Sequence, residues 1–121
     1  MSKKILVVED TEDNRQILRD LLGMAGYEMI EAHDGAEEVA QATEHRPDMI
    51  LMDIQMPVMD GYEATRRIKA DPVLKLIPVI AVTSYALSGD EDKARAAGCD
   101  GYVAKPFSPR QMLAKVREIL G

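Results

Sequence analysis

Tryptophan is absent, phenylalanine occurs once and tyrosine four times, so aliphatic side chains and eight methionines must fill any core. There is a single cysteine, Cys99, which excludes an intramolecular disulfide. It reads as a small buried apolar residue. The longest apolar run near the start, Ile5 to Val8, is only four residues. That is too short for a signal h-region or a membrane span, so the expectation is a cytosolic protein without membrane contact. Positive charge is in the minority: 15 basic residues stand against 21 acidic ones, a net charge of −6 with a pI near 4.9. An acidic surface disfavours non-specific binding to nucleic acid or anionic lipid, and the one adjacent arginine pair, Arg66-Arg67, is too small for a phosphate-tracking stripe.

What is present is globular. The 121 residues are 46 % hydrophobic and 30 % charged, which suits one domain with its own core. Short apolar runs alternate with amphipathic stretches. Lys4–Val8, Tyr27–Ala32, Met49–Met52, Val79–Val82 and Tyr102–Ala104 have strand length and are bounded by turn signals. Glu28 and Glu31 in the second run mark an edge strand. Between the runs lie five helical patterns. The first carries Ile17, Leu18, Leu21, Leu22 and Ala25, and Gly26 ends it. The second opens on Asp34 and Glu37, continues through Val39, Ala40 and Thr43, and stops before Pro47. The third runs from about Gly61 to Ala70. The fourth opens with Ser88-Gly89-Asp90-Glu91 and has a mostly alanine inner face. The last opens with Ser108-Pro109-Arg110-Gln111, a capping box with Pro at the first helical position, and presents Met112, Leu113, Val116, Ile119 and Leu120. This is α/β architecture, (βα)5. Five units are too few for an eight-fold barrel, so an open, doubly wound parallel sheet is expected.

In such a sheet ligands bind beyond the carboxyl ends of the strands. The first strand ends in Glu9-Asp10, the third in Asp53, the fourth in Thr83-Ser84 and the fifth in Lys105-Pro106. Each residue alone is an ordinary turn, cap or surface residue. Together, three carboxylates, a hydroxyl and an ammonium converge on one edge. Crowded carboxylates favour a hard divalent cation such as Mg²⁺, and Lys105 with Thr83 suits a phosphoryl group. Asp53, in the middle, is placed to act as a nucleophile and form an aspartyl phosphate.

On these motifs the sequence resembles the response-regulator receiver domains, of the single-domain chemotaxis-regulator and DivK-like type. The resemblance rests on Ile5-Leu6-Val7-Val8-Glu9-Asp10, Leu51-Met52-Asp53-Ile54-Gln55-Met56-Pro57, Met59-Asp60-Gly61, Pro78-Val79-Ile80-Ala81-Val82-Thr83 and Lys105-Pro106-Phe107. It implies a flavodoxin-like strand order 2-1-3-4-5 and a single receiver domain over residues 1–121 with no output domain. It implies Asp53 as phospho-acceptor and Asp10 as direct Mg²⁺ ligand, with Glu9 acting through water. The backbone carbonyl of Gln55 would be a further ligand. Thr83 and Lys105 would hold the phosphoryl oxygens, and Tyr102 would be a switch aromatic paired with Thr83. The implied partners are a histidine kinase or histidine phosphotransfer protein and a downstream protein target. Output would pass through the face formed by the fourth helix, fifth strand and fifth helix. The protein would be a monomer or a weak phosphorylation-dependent dimer, and no enzyme beyond its own phosphorylation and dephosphorylation.

Three other readings compete. A Mg²⁺-dependent phosphohydrolase with an aspartyl nucleophile usually has a second Asp two residues after the first, as does a topoisomerase-primase type metal site. Gln55 stands there and cannot exchange a proton as a carboxyl does. A degenerate receiver that only binds partners would lack an acid, Asp53 or Lys105, and none is missing. The chain also suits a receiver domain excised from a larger regulator. His33 and His45 read as loop residues, and Met49, Met52, Met56 and Met59 as core and loop filler.

Overall fold

The computed structural model describes residues 3–9, 11–53, 61–83, 90–104 and 108–120. The elements are β1 (Lys4–Val8), α1 (Glu12–Met24), β2 (Glu28–Ala32), α2 (Gly35–His45), β3 (Met49–Asp53), α3 (Gly61–Ala70), a 3₁₀ turn at Leu74–Leu76, β4 (Val79–Thr83), α4 (Asp90–Ala97), β5 (Gly101–Ala104) and α5 (Pro109–Leu120). The five strands form one sheet in the order β2-β1-β3-β4-β5, every neighbouring pair parallel. The expected doubly wound α/β sheet is thus the observed one, with β2 at one edge.

Strand side chains alternate between faces, so each apolar run feeds two cores. Leu6, Val8, Ile50, Met52, Val79 and Ala81 pack under α2 and α3. Ile5, Val7, Met49, Leu51, Ile80 and Val82 pack on the other side, against Leu18 and Leu22 of α1 and Met112 and Val116 of α5. Close approach sets one position: a Cβ at Gly101 would lie 2.6 Å from the Ile80 Cδ1 on the paired strand.

Helix ends follow local chemistry. Asp34 caps α2, its carboxylate accepting from the Glu37 N–H at 2.8 Å. The return bond differs from a simple capping box, since Glu37 accepts from the His33 N–H at 3.2 Å. The α5 box is complete: Ser108 Oγ accepts from the Gln111 N–H at 3.1 Å, and Gln111 Oε1 from the Ser108 N–H at 2.8 Å. Ser88 and Gly89 lie outside the described residues.

Two helix faces differ from expectation. In α1 the buried positions are Arg15, Leu18 and Leu22, whereas Ile17 is 60 % exposed. In α2 they are Gly35, Glu38 and Ala42, and Ala40 and Thr43 face solvent. In α1 the packing arc is Leu18, Leu21 and Leu22, which leaves Ile17 outside it, whereas α2 has Val39 as its one large apolar residue and is phased by what the sheet accepts.

At the amino ends of the strands the sheet is tied by side chains. Lys69 Nζ donates to the carbonyls of Lys75 and Ile77 and to Asp100 Oδ2, at 3.0, 2.8 and 2.8 Å. Asp100 Oδ2 also accepts from the Val79 N–H at 2.9 Å. The opposite, carboxyl edge carries the candidate site.

Candidate functional site

Parallel register brings the strand-end residues together. Val8 pairs with Met52, so Glu9 and Asp53 follow as the next residues on adjacent strands. Asp53 in turn pairs with Val82, the residue before Thr83. Thr83 pairs with Ala104, the residue before Lys105. Asp53 is half-buried at the end of β3, the central strand of the sheet. Tyr102 is half-buried on β5, opposite Ala81, and packs against the core layer under α2 and α3. Asp10, Gln55 and Lys105 lie outside the described residues, as does the side chain of Thr83.

Glu9 is 4 % exposed, a burial that a carboxylate accepts only with partners. Its N–H donates to the Ala32 carbonyl at 3.0 Å, continuing the β1–β2 ladder by one residue. Its Oε1 accepts from the Thr11 N–H at 3.2 Å. Its carbonyl accepts from Nη1 of Arg15 at 2.7 Å. Arg15 is a contributor the sequence reading missed. Its only advance signal was its place three and seven residues before the inward-facing Leu18 and Leu22. Nη2 of Arg15 bonds Glu12 at 2.6 Å, and its Nε lies 3.2 Å from Glu31. Arg19 joins the group, 2.6 Å from Glu31 and 3.5 Å from Glu12. The hydrogen bond from Arg15 is the main reason the Glu12 carboxyl is held below its usual pKa. Bonding to Glu31 likewise raises that of Arg19.

The donors are carboxylate oxygens on adjacent strand ends. Such a set fits a hard cation that keeps several waters, and Mg²⁺ is of that kind. Among the described residues no three His, Cys, Asp or Glu side chains gather as a metal cluster. The two histidines are apart: His33 pairs with Glu37 at 2.9 Å in the turn before α2, and His45 ends that helix. Cys99 is buried, and burial pushes its thiol up to about 11, as expected of a structural thiol.

A parallel 2-1-3-4-5 sheet with acids at the carboxyl ends of β1 and β3 is the arrangement that the receiver resemblance implies. The model of the response regulator receiver domain matches residues 5–117, and the chain belongs to that family of two-component phosphorelay signalling proteins. Among its relatives is the polar-differentiation response regulator DivK of Brucella anthropi, 46 % identical over the whole chain and 98 % of that protein. The DivK of Brucella ovis is 45 % identical over the same span. Among solved structures, the receiver domain of a sensor histidine kinase from Pseudomonas aeruginosa PAO1 superposes with a TM-score of 0.94 at 37 % identity, covering 100 % of this chain and 99 % of that one. That structure holds a magnesium ion coordinated in its active-site cleft. The chemotaxis protein CheY4 of Vibrio cholerae gives a TM-score of 0.92 at 32 % identity, covering 98 % of this chain and 99 % of that one. Among the described residues no helix is long and apolar enough to cross a membrane.

Proposed function

We propose that this receiver takes a phosphoryl group on Asp53 from a phosphohistidine of a histidine kinase or phosphotransfer protein. The observation that carries this reading is the register, which sets Asp53 between the β1 end with Glu9 and the β4 end with Thr83. Asp10, Asp53 and the Gln55 carbonyl, with Glu9 through water, would hold Mg²⁺, which would supply positive charge to the phosphoryl oxygens. An Asp53 carboxylate oxygen attacks phosphorus as the phosphorus–nitrogen bond of the donor breaks. The electron pair leaves with the imidazole, which takes up a proton. Thr83 donates to one phosphoryl oxygen and Lys105 neutralises another. Hydrolysis returns the carboxylate when water attacks phosphorus and the bond to the Asp53 oxygen breaks. The chain works as one receiver unit in the cytosol, as a monomer or a weak phosphorylation-dependent dimer, and acts on no other substrate.

Output follows from the new charge. A phosphoryl group adds negative charge and acceptor oxygens. Thr83 moves toward it and Tyr102 follows into the space behind β4, remodelling the face of α4, β5 and α5 that a downstream protein reads.

With Mg²⁺ and acetyl phosphate the chain gains one phosphoryl group, and Asp53→Asn removes that gain because an amide is not a nucleophile there. Undiminished, acid-stable labelling of the Asn variant would overturn the assignment. Sustained release of phosphate from small esters would favour the phosphohydrolase.

A further inference from the structure

We propose that Arg15 is a positioning residue for the acidic turn, setting the backbone from which Glu9 serves the cation. This rests on the reading of Glu9 as part of the metal site. Arg15 is the one Lys or Arg buried among the described residues, at 6 % exposure. A guanidinium so far inside must be matched by acceptors, and its planar fork meets three elements at once. Nη1 holds the Glu9 carbonyl at 2.7 Å, at the end of β1. Nη2 holds Glu12 in the first turn of α1 at 2.6 Å, and Nε lies within ion-pair distance of Glu31 of β2, at 3.2 Å, without a hydrogen bond to it.

The choice of atom on Glu9 is the telling feature. A cation beside a metal site ordinarily competes with the metal for carboxylate charge. Here the guanidinium takes the neutral carbonyl, while the Glu9 carboxylate turns to the Thr11 N–H at 3.2 Å. The positive charge of Arg15 is answered by Glu12 and Glu31, a set completed by Arg19. The backbone of Glu9 is therefore fixed from both sides, by the Ala32 carbonyl on its N–H and by Arg15 on its C=O. Arg15 thus takes hold of Glu9 through its backbone and not through its carboxylate. Groups that orient metal ligands in this way typically contribute about 10- to 100-fold to affinity.

The sign of the effect separates positioning from charge. By Coulomb's law alone, deleting a cation close to the acids would tighten Mg²⁺ binding. Loss of positioning would weaken it. Arg19 is the control, since it pairs with Glu31 and Glu12 and bonds Gln16, outside the Arg15–Glu9 contact. The experiment is calorimetric titration of the full chain with Mg²⁺ alone, beside a thermal melt of each variant. Arg15→Met is expected to bind about 10-fold more weakly than the unmodified protein. Arg19→Met is expected to stay within about twofold, as a half-exposed ion pair contributes little. Arg15→Lys keeps the charge but not the fork, and is also expected to weaken binding. If Arg15→Met does not fold, Arg15→Lys decides by the same criterion. Mg²⁺ affinity equal to or tighter than that of the unmodified protein in the Arg15 variants, or an equal loss in Arg19→Met, would overturn the proposal while leaving the metal site standing. Absence of Mg²⁺ binding in the unmodified protein would overturn both.

Discussion

The two faces of the sheet are packed by the same strands yet differ in chemistry. Under α1 and α5 the buried cluster is wholly aliphatic and thioether, with Leu18, Leu22, Met112 and Val116 closing on Ile5, Val7 and Leu51. Under α2 and α3 the core is also apolar, but Glu38 and Thr65 are fully buried on its helices, and Cys99 is buried with them. Neither carboxyl oxygen of Glu38 has a hydrogen-bond partner. Burial pushes that group from its usual 4.5 up to about 8. The aliphatic cluster holds no carboxyl group, and the one charge buried on α1, Arg15, is paired with Glu12 and Glu31. The other face carries a titratable group that the fold keeps protonated at neutral pH. Packing density does not reveal this difference; the response to pH does.

The largest expected effect breaks the aliphatic face. Leu22→Ala deletes a fully buried side chain, and denaturant unfolding should show a loss of about 3–4 kcal/mol. That loss should be the same at pH 5 and pH 8, since nothing in the cluster titrates. Next comes Glu38. Below pH 4.5 the carboxyl is protonated in both folded and unfolded chains and contributes no pH dependence. As pH rises toward 8 only the unfolded chain ionises, so stability falls by about 1.4 kcal/mol per pH unit from this group and then levels off. Glu38→Met should remove that slope and stabilise the protein by about 3 kcal/mol at pH 7. A slope unchanged in Glu38→Met would show that the two faces do not differ in the way described. The smallest effect is at Thr65, whose hydroxyl lies 3.2 Å from the Met52 sulfur and 3.9 Å from the Cys99 sulfur. Thr65→Val should cost about 1 kcal/mol, without pH dependence, as the loss of one buried neutral hydroxyl does.

Strands were easy to read because parallel strands covered on both faces leave short apolar runs, and here turn signals bound each run at strand length. The structure moved their ends by one residue at most: Tyr27 dropped from β2, and Asp53, Thr83 and Gly101 were added to β3, β4 and β5. Caps at Asp34 and Ser108 were legible because short oxygen-bearing side chains have few other uses before a helix. Helix phase was less legible. Glu38 and Arg15 carry charge, and sequence patterning assigns charge to solvent. Ile17 was assigned inward by spacing, yet α1 is phased by Arg15, Leu18 and Leu22. That Glu9 and Asp53 neighbour each other was legible because topology alone brings strand ends together. Arg15 was hidden because it meets Glu9 through a backbone carbonyl, which a sequence does not display.

The central claim is that Asp53, and no other acid at this edge, carries the phosphoryl group. Borohydride reduces an aspartyl phosphate to the alcohol of homoserine, which peptide mass mapping locates. After treatment with acetyl phosphate and Mg²⁺, the account predicts one reduced residue, at position 53, and none when Mg²⁺ is chelated. Reduction at Glu9, Asp10 or any other acid, or a phosphate that resists borohydride altogether, would contradict it.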